Sequence, residues 1–114
     1  MIKVVDKKWG TEEWIVNRDY CAKLMTLNPD HSCSFHFHKD KTETFYVLEG
    51  TMDIKLRDLK TGQILDRKLI PGDSVTIYPL QAHSFKTVME FPCKFIEVST
   101  HHDDADTYRI EESK

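Results

Sequence analysis

The 114-residue sequence has only three cysteines, Cys21, Cys33 and Cys93, and no Cys-x-x-Cys pair. That excludes a zinc site built on paired thiolates. Their apolar surroundings point instead to buried free thiols in a reducing compartment. No basic run or stripe is present, and 19 acidic residues outnumber 16 Lys and Arg, so no nucleic-acid partner is expected. Apolar runs last only a few residues, too short to cross a membrane. The opening Met1-Ile2-Lys3-Val4-Val5-Asp6 meets charge almost at once and offers no signal-peptide core. A cytoplasmic protein is the expectation. There is no linker, repeat or low-complexity segment. The length allows one domain, spanning 1–114, with its core at about 20–100 and an N-terminal arm and C-terminal tail packed on it.

What the sequence does have is a succession of short β-type runs between turn signals. They are Tyr20 to Leu27, Ser34 to His38, Thr44 to Leu48, Thr51 to Arg57, Gln63 to Ile70, Ser74 to Tyr78, Ser84 to Val88 and Lys94 to Ser99. Asn28-Pro29-Asp30, Glu49-Gly50, Lys60-Thr61-Gly62 and Pro71-Gly72-Asp73 punctuate them. This spacing predicts an all-β barrel or sandwich. Trp9 to Ile15 has a weak helical pattern, enough for a turn. The polar tail after Thr100 is expected to lie extended over the barrel, with Glu111 to Lys114 disordered.

Alternation then sorts side chains by face. In Ser34-Phe35-His36-Phe37-His38, a period of two puts both histidines on one face and both phenylalanines on the other. Two unpaired imidazoles inside a small barrel would cost about 1–3 kcal/mol each. A metal ion removes that cost. Glu43 follows after four intervening residues across a short turn, Gly50 stands where a tight turn is needed, and His83 arrives from a later strand. Three imidazoles and a carboxylate suit one divalent transition metal: Mn, Fe, Zn, Ni or Co. On an octahedral ion they leave two positions open. On the strand Lys94 to Ser99, Phe95 and Glu97 share a face.

The run His36-x-His38-x4-Glu43-x6-Gly50 resembles the first motif of the cupin superfamily, Gly-x5-His-x-His-x(3–4)-Glu-x6-Gly. Gly72-x6-Pro79-x3-His83 is similar to the second, Gly-x5-Pro-x-Gly-x2-His-x3-Asn, with spacing off by one in two places. Asp30 replaces the leading glycine, Gln81 lies near the second motif's inner glycine, and Thr87 replaces the asparagine. None of these three is a ligand in the family, so the departures bear on turn geometry. The resemblance implies a small single-domain cupin β-barrel, a jelly roll, with His36, His38, Glu43 and His83 as metal ligands.

A softer resemblance covers Lys8-Trp9-Gly10-Thr11-Glu12, Tyr20, Lys41 to Leu48, and Phe95-Ile96-Glu97-Val98-Ser99-Thr100 with Asp103, Asp104, Asp106 and Arg109. It is similar to metal-dependent lyxose-type sugar isomerases and to the cupin module of type II mannose-6-phosphate isomerases. That implies a metal-dependent sugar or sugar-phosphate isomerase or epimerase working through an enediolate whose two oxygens the metal stabilises. Glu97 is the expected base, its pKa raised by burial, and Lys41 the group that polarises a substrate oxygen. Arg109 is expected on a phosphate or sugar oxygen, and Tyr46 and Phe85, like Trp9 and Trp14, on sugar faces.

Blander alternatives stand beside these roles. They are a paired Glu97, a solvated Lys41, a solvated acidic run at Asp103, Asp104 and Asp106, core or interface aromatics, and surface positions for His101 and His102. The other functional classes are a non-catalytic carbohydrate-binding or regulatory cupin and an Fe(II)-dependent dioxygenase. A homodimer is expected, because outward Phe35 and Phe37 need cover.

Overall fold

The computed structural model describes residues 2–87 and 90–110. Two antiparallel sheets enclose the interior. One orders six strands as β1 (Lys3–Lys7), β2 (Gly10–Asn17), β3 (Tyr20–Leu27), β10 (Cys93–Thr100), β5 (Glu43–Glu49) and β8 (Ser74–Ile77). The other orders five as β11 (Tyr108–Arg109), β4 (His36–Phe37), β9 (Gln81–Lys86), β6 (Met52–Asp58) and β7 (Ile64–Leu69). This is the all-β barrel that the turn spacing predicts. No helix among the described residues is long and apolar enough to cross a membrane.

Alternation in the sequence becomes alternation in burial. Along β3, Cys21, Lys23, Met25 and Leu27 turn inward; along β10, Cys93, Phe95, Glu97 and Ser99 do. The aromatic centre of the core is Phe45, Phe85 and Phe95, with ring centroids 5.0 to 5.7 Å apart. Trp9 meets Phe85 edge-on at 5.2 Å. Each such ring contributes about 1.5–3 kcal/mol by leaving water, and edge-to-face contacts add to that.

Three expectations need correction. Trp9 to Ile15 is not a helical turn: from Gly10 it forms β2, paired with β1 and β3. Gly10 lies so close to the Thr26 carbonyl that no Cβ fits there, which lets the hairpin pack flat against β3. The run Ser34 to His38 is regular strand only at β4, His36–Phe37. Phe37 does not wait for a second subunit: Tyr108 of β11 stacks on it at 5.1 Å. Val88 and the tail Glu111 to Lys114 lie outside the described residues.

The irregular motif positions acquire a structural meaning. Gly50 has φ 75°, and a Cβ there would meet the Pro92 carbonyl oxygen at 2.5 Å. Asp30, standing where a glycine leads the first motif, has φ 59°. Leu80, just before Gln81, has φ 66°. Both residues adopt the left-handed conformation that glycine takes without strain. Asp tolerates it through its short polar side chain; for Leu80 it costs about 1–2 kcal/mol.

Candidate metal centre

Three histidines converge because two strands pair in register. His36 on β4 is the direct antiparallel partner of His83 on β9, and their rings lie 4.2 Å apart. His38, just past β4, sits 5.2 Å from His36 and 5.6 Å from His83, centroid to centroid. One ring nitrogen from each lies within 4.8 Å of the other two. His38 and His83 are buried.

Hydrogen bonds on the far side of each ring fix which nitrogen faces the centre. His36 Nδ1 lies 2.8 Å from the Ser34 carbonyl oxygen, His38 Nδ1 3.0 Å from that of Asp106, and His83 Nδ1 3.4 Å from that of Gln81. A carbonyl only accepts, so Nδ1 donates in each case. With Nδ1 donating, each ring turns Nε2 inward, as metal-binding histidines do. Burial, then the adjacent His83 ring, holds the His36 pKa well below its usual value, which keeps that ring neutral.

Glu43, the first residue of β5, completes the arrangement from the opposite sheet. Its oxygens lie 3.2 Å from His38 Nε2 and 3.4 Å from His83 Nε2. Yet Glu43 Oε2 and His83 Nε2, both buried, make no hydrogen bond. Lone pairs thus face lone pairs. Burial pushes the Glu43 carboxyl up, but the facing His83 and His38 rings, with the Lys41 ammonium, override it and hold it well below the usual carboxylate range. A cation among these atoms would satisfy all of them at once. The three imidazoles could hold a metal ion, with the Glu43 carboxylate beside them.

Glu97, the expected base, and Lys41, the residue expected to polarise a substrate oxygen, meet beside this cluster. Lys41 Nζ lies 2.7 Å from Glu97 Oε2 and 3.4 Å from Glu43 Oε2, with all three side chains buried. Ser99 Oγ donates to Glu97 at 3.2 Å. Glu97 is therefore not the isolated carboxylate that its apolar strand suggested, and Lys41 is not solvated. Burial lowers the Lys41 pKa, but Glu97 and Glu43 outweigh it, so the ammonium is held above its ordinary value.

The cavity holding these groups has a volume of about 630 Å³. Phe85 contributes to its wall but belongs mainly to the aromatic core. Arg109, on β11 beside His36 of β4, also lines it. Tyr46 does not: β5 turns Glu43, Phe45 and Val47 inward and leaves Tyr46 on the outer face, 44% exposed.

Two lining residues escape the sequence reading. Lys23 is 1% exposed, with Nζ 3.4 Å from Glu12 Oε1 and 4.3 Å from the centre of the Trp14 ring. Its inward position follows from the same alternation that places Glu97. His102 is not a surface residue: Lys41 Nζ lies 2.9 Å from its Nδ1, and its Nε2 lies 2.8 Å from Asp104 Oδ1. Burial, then the charge of Lys41, lowers the His102 pKa and keeps Nδ1 an acceptor. No sequence signal marks it, because β10 and its alternation end at Thr100.

The chain is similar in fold to several solved structures. Capsular polysaccharide assembling protein CapF from Staphylococcus aureus superposes with a TM-score of 0.86 at 18% identity, over 97% of this chain and 32% of that one. Oxalate decarboxylase from Bacillus subtilis gives 0.85 at 18%, over 96% and 30%. The Lactobacillus farciminis oxalate decarboxylase formate complex gives 0.82 at 19%, over 96% and 34%. The chain spans about a third of each of these proteins. No curated protein sequence matches it significantly. The sequence model of the cupin domain matches residues 23–99, the stretch that supplies both sheets' central strands and all four candidate ligands, and the chain belongs to that family.

Proposed function

We propose that this cupin is a metal-dependent enzyme that isomerises or epimerises a small hydroxy-carbonyl compound of the sugar or sugar-phosphate class. The observation that carries the reading is the buried Lys41–Glu97 pair in the same cavity as the three imidazoles. A divalent ion held by His36, His38, His83 and Glu43 would supply positive charge where adjacent substrate oxygens become negative. Glu97 would take the proton from the carbon beside the carbonyl and return it to the neighbouring carbon, so no co-reactant is consumed. Lys41, held protonated, would donate a hydrogen bond to the oxygen that gains charge. Arg109, beside His36 in the lining, would meet an anionic or hydroxyl group, and Phe85 the apolar edge of the sugar. The cavity volume lies in the range of small-molecule sites, about 300–1,000 Å³. The fold likeness to a polysaccharide-assembling protein agrees with a sugar substrate.

Solvent deuterium exchange into a panel of aldoses, ketoses and their phosphates tests this. Metal-dependent exchange that Glu97→Gln lowers by about 100-fold or more is expected, the span typical of general acid–base catalysis. Exchange in no sugar, or exchange indifferent to Glu97→Gln, ends the reading.

A non-catalytic carbohydrate-binding role is the second reading, favoured by one observation: Glu97 is already paired with Lys41. Calorimetry showing sugar binding without any exchange would select it. Oxygen uptake by the Fe(II)-loaded protein would select a dioxygenase instead.

Our reading also includes a homodimer in the cytoplasm. The outer face of the six-stranded sheet sets Tyr46, Ile96 and Leu24 side by side across β5, β10 and β3, next to exposed Val98 and Tyr20. An apolar face of that kind suits a second copy. Three buried free thiols suit a reducing compartment. Light scattering that finds a monomer at micromolar concentration removes the dimer.

A further inference from the structure

The acidic run in the tail reads as a solvated surface, yet each of its members has a separate task. Asp103 accepts from the Ala105 N–H at 3.0 Å and starts a short 3-10 turn, Asp104–Asp106. Asp104 holds His102. Asp106 does more than either. Its two carboxylate oxygens accept from three consecutive backbone N–H groups: Lys39 at 2.9 Å, Asp40 at 3.2 and 3.3 Å, and Lys41 at 3.1 Å. Its backbone carbonyl, on the other side of the same residue, accepts from His38 Nδ1 at 3.0 Å.

One residue thus touches both halves of the site. Lys41 enters the cavity from the loop that the carboxylate grips. His38 presents Nε2 to the centre because the carbonyl takes its Nδ1–H. Hydrogen bonds to a charged group are about twice as strong as neutral ones, and a run of N–H groups around one carboxylate fixes the loop's backbone as well as its position. The rest of the tail keeps Asp106 in place. Asn17 and His102 exchange two hydrogen bonds, both 2.9 Å. Tyr108 and Arg109 pair with Phe37 and His36.

We propose that Asp106 is a positioning residue that couples the metal ligand His38 to the proton-handling Lys41. It contacts neither metal nor substrate. It keeps the tautomer of the one and the backbone of the other in a single fixed relation, so disturbing the tail disturbs both. This rests on the reading of the cavity given above, and two separate readouts keep the two ideas apart.

The first readout needs no metal: amide hydrogen exchange of the metal-free full chain. Asp106→Ala is expected to speed exchange at Lys39, Asp40 and Lys41 by 10-fold or more, leaving the amides of β3 and β10 unchanged. The second is Co(II) affinity, with its visible absorption spectrum as the signature of the ligand set. Asp106→Ala is expected to weaken Co(II) by about 10-fold, the lower bound for groups that orient a metal ligand, and to shift the spectrum. Asp106→Asn keeps one acceptor oxygen and should fall between, which also covers the case of an unfolded alanine variant. Tyr108→Ala loosens the tail without removing the carboxylate, and should speed exchange at Lys39, Asp40 and Lys41 by less than Asp106→Ala does. Unchanged exchange, or unchanged affinity and spectrum, in both Asp106 variants overturns the proposal. Failure of the unaltered protein to bind Co(II) would sink the metal reading instead, and the exchange comparison would still decide whether Asp106 clamps the loop.

Discussion

The barrel interior has two ends built from the same strands. At one end β10 supplies Phe95, β3 Met25 and Leu27, β5 Phe45 and Val47, and β9 Phe85. Two residues further along each strand, the inward positions become Glu97, Lys23, Glu43 and His83. Register ties the change to two adjacent levels: Phe95 pairs with Met25 and Val47, Glu97 with Lys23 and Phe45, and Ser99 with Cys21 and Glu43, so β5 turns polar one step after β10 and β3. The apolar end drives folding. The polar end works against it, since Glu43 Oε2 and His83 Nε2 are buried without hydrogen bonds, at about 1–3 kcal/mol each. Sharing strands lets the first hold the second rigidly. Mutations at the two ends should therefore have opposite signatures.

The largest effects belong to single losses that leave something unmatched. Phe95→Ala should lower unfolding free energy by about 3–5 kcal/mol, read from urea denaturation, while leaving metal affinity within a few-fold. A variant that lost metal but kept its stability would erase the distinction between the ends. Lys41→Met should also cost about 3–5 kcal/mol, because it strands Glu97 as a buried charge. The double variant Lys41→Met with Glu97→Leu should recover most of that loss. If the double variant is worse than either single one, the pair stabilises the fold rather than merely occupying it.

How much of this was legible depends on where period-two reasoning applies. The strands β3, β5, β6, β8 and β10 follow from runs and turns. The inward pairing of Phe95 with Glu97, and of His36 with His38, follows from alternation. Applied evenly, the same rule places Tyr46 outside and Lys23 inside. The β1–β2 hairpin was hidden by a weak helical pattern that pairing with β3 overrides. His102 and Asp106 were not legible at all. They lie beyond the last barrel strand, and their contacts depend on the path of the tail across β4, which no local pattern encodes.

A smaller effect, of opposite kind, is expected at the polar end. His83→Gln should weaken metal binding by about 100-fold or more, at or above the upper limit seen for groups that only orient a ligand. In free energy that is about 2.7 kcal/mol. The metal-free variant should unfold within about 1 kcal/mol of the parent, because the substitution removes an unsatisfied buried nitrogen along with the ring. Saturating metal should stabilise the parent by about 2.7 kcal/mol at a hundred times Kd and the variant by much less. Equal stabilisation of both proteins would place the ion elsewhere.

The smallest effect per step is pH dependence, and its two limbs separate the ends without any ligand. In the polar half, burial and then the adjacent His83 ring hold His36 well below its ordinary value of 6.5. An unfolded chain then binds the extra proton first, so stability is complete above about pH 6.5 and falls as the pH drops. Glu43, also held low, acts in the same direction below its ordinary value of 4.5. In the apolar half, burial pushes the Cys33 thiol up to about 12 and the Cys93 thiol up to about 11, from an ordinary 9.0. Here the unfolded chain loses its protons first, so stability is complete below about pH 9 and falls as the pH rises through 11 to 12. Each group contributes at most about 1.4 kcal/mol per pH unit. Urea midpoints of the metal-free protein across about pH 4 to about 10.5 should trace a plateau with two shoulders. Cys93→Ala should reduce the alkaline shoulder to the share of Cys33 and leave the acid one; His36→Gln should reduce the acid shoulder and leave the alkaline one. If either substitution flattens both shoulders, the two ends do not titrate independently, and the register boundary at Phe95 and Glu97 separates residue types without separating their energetics.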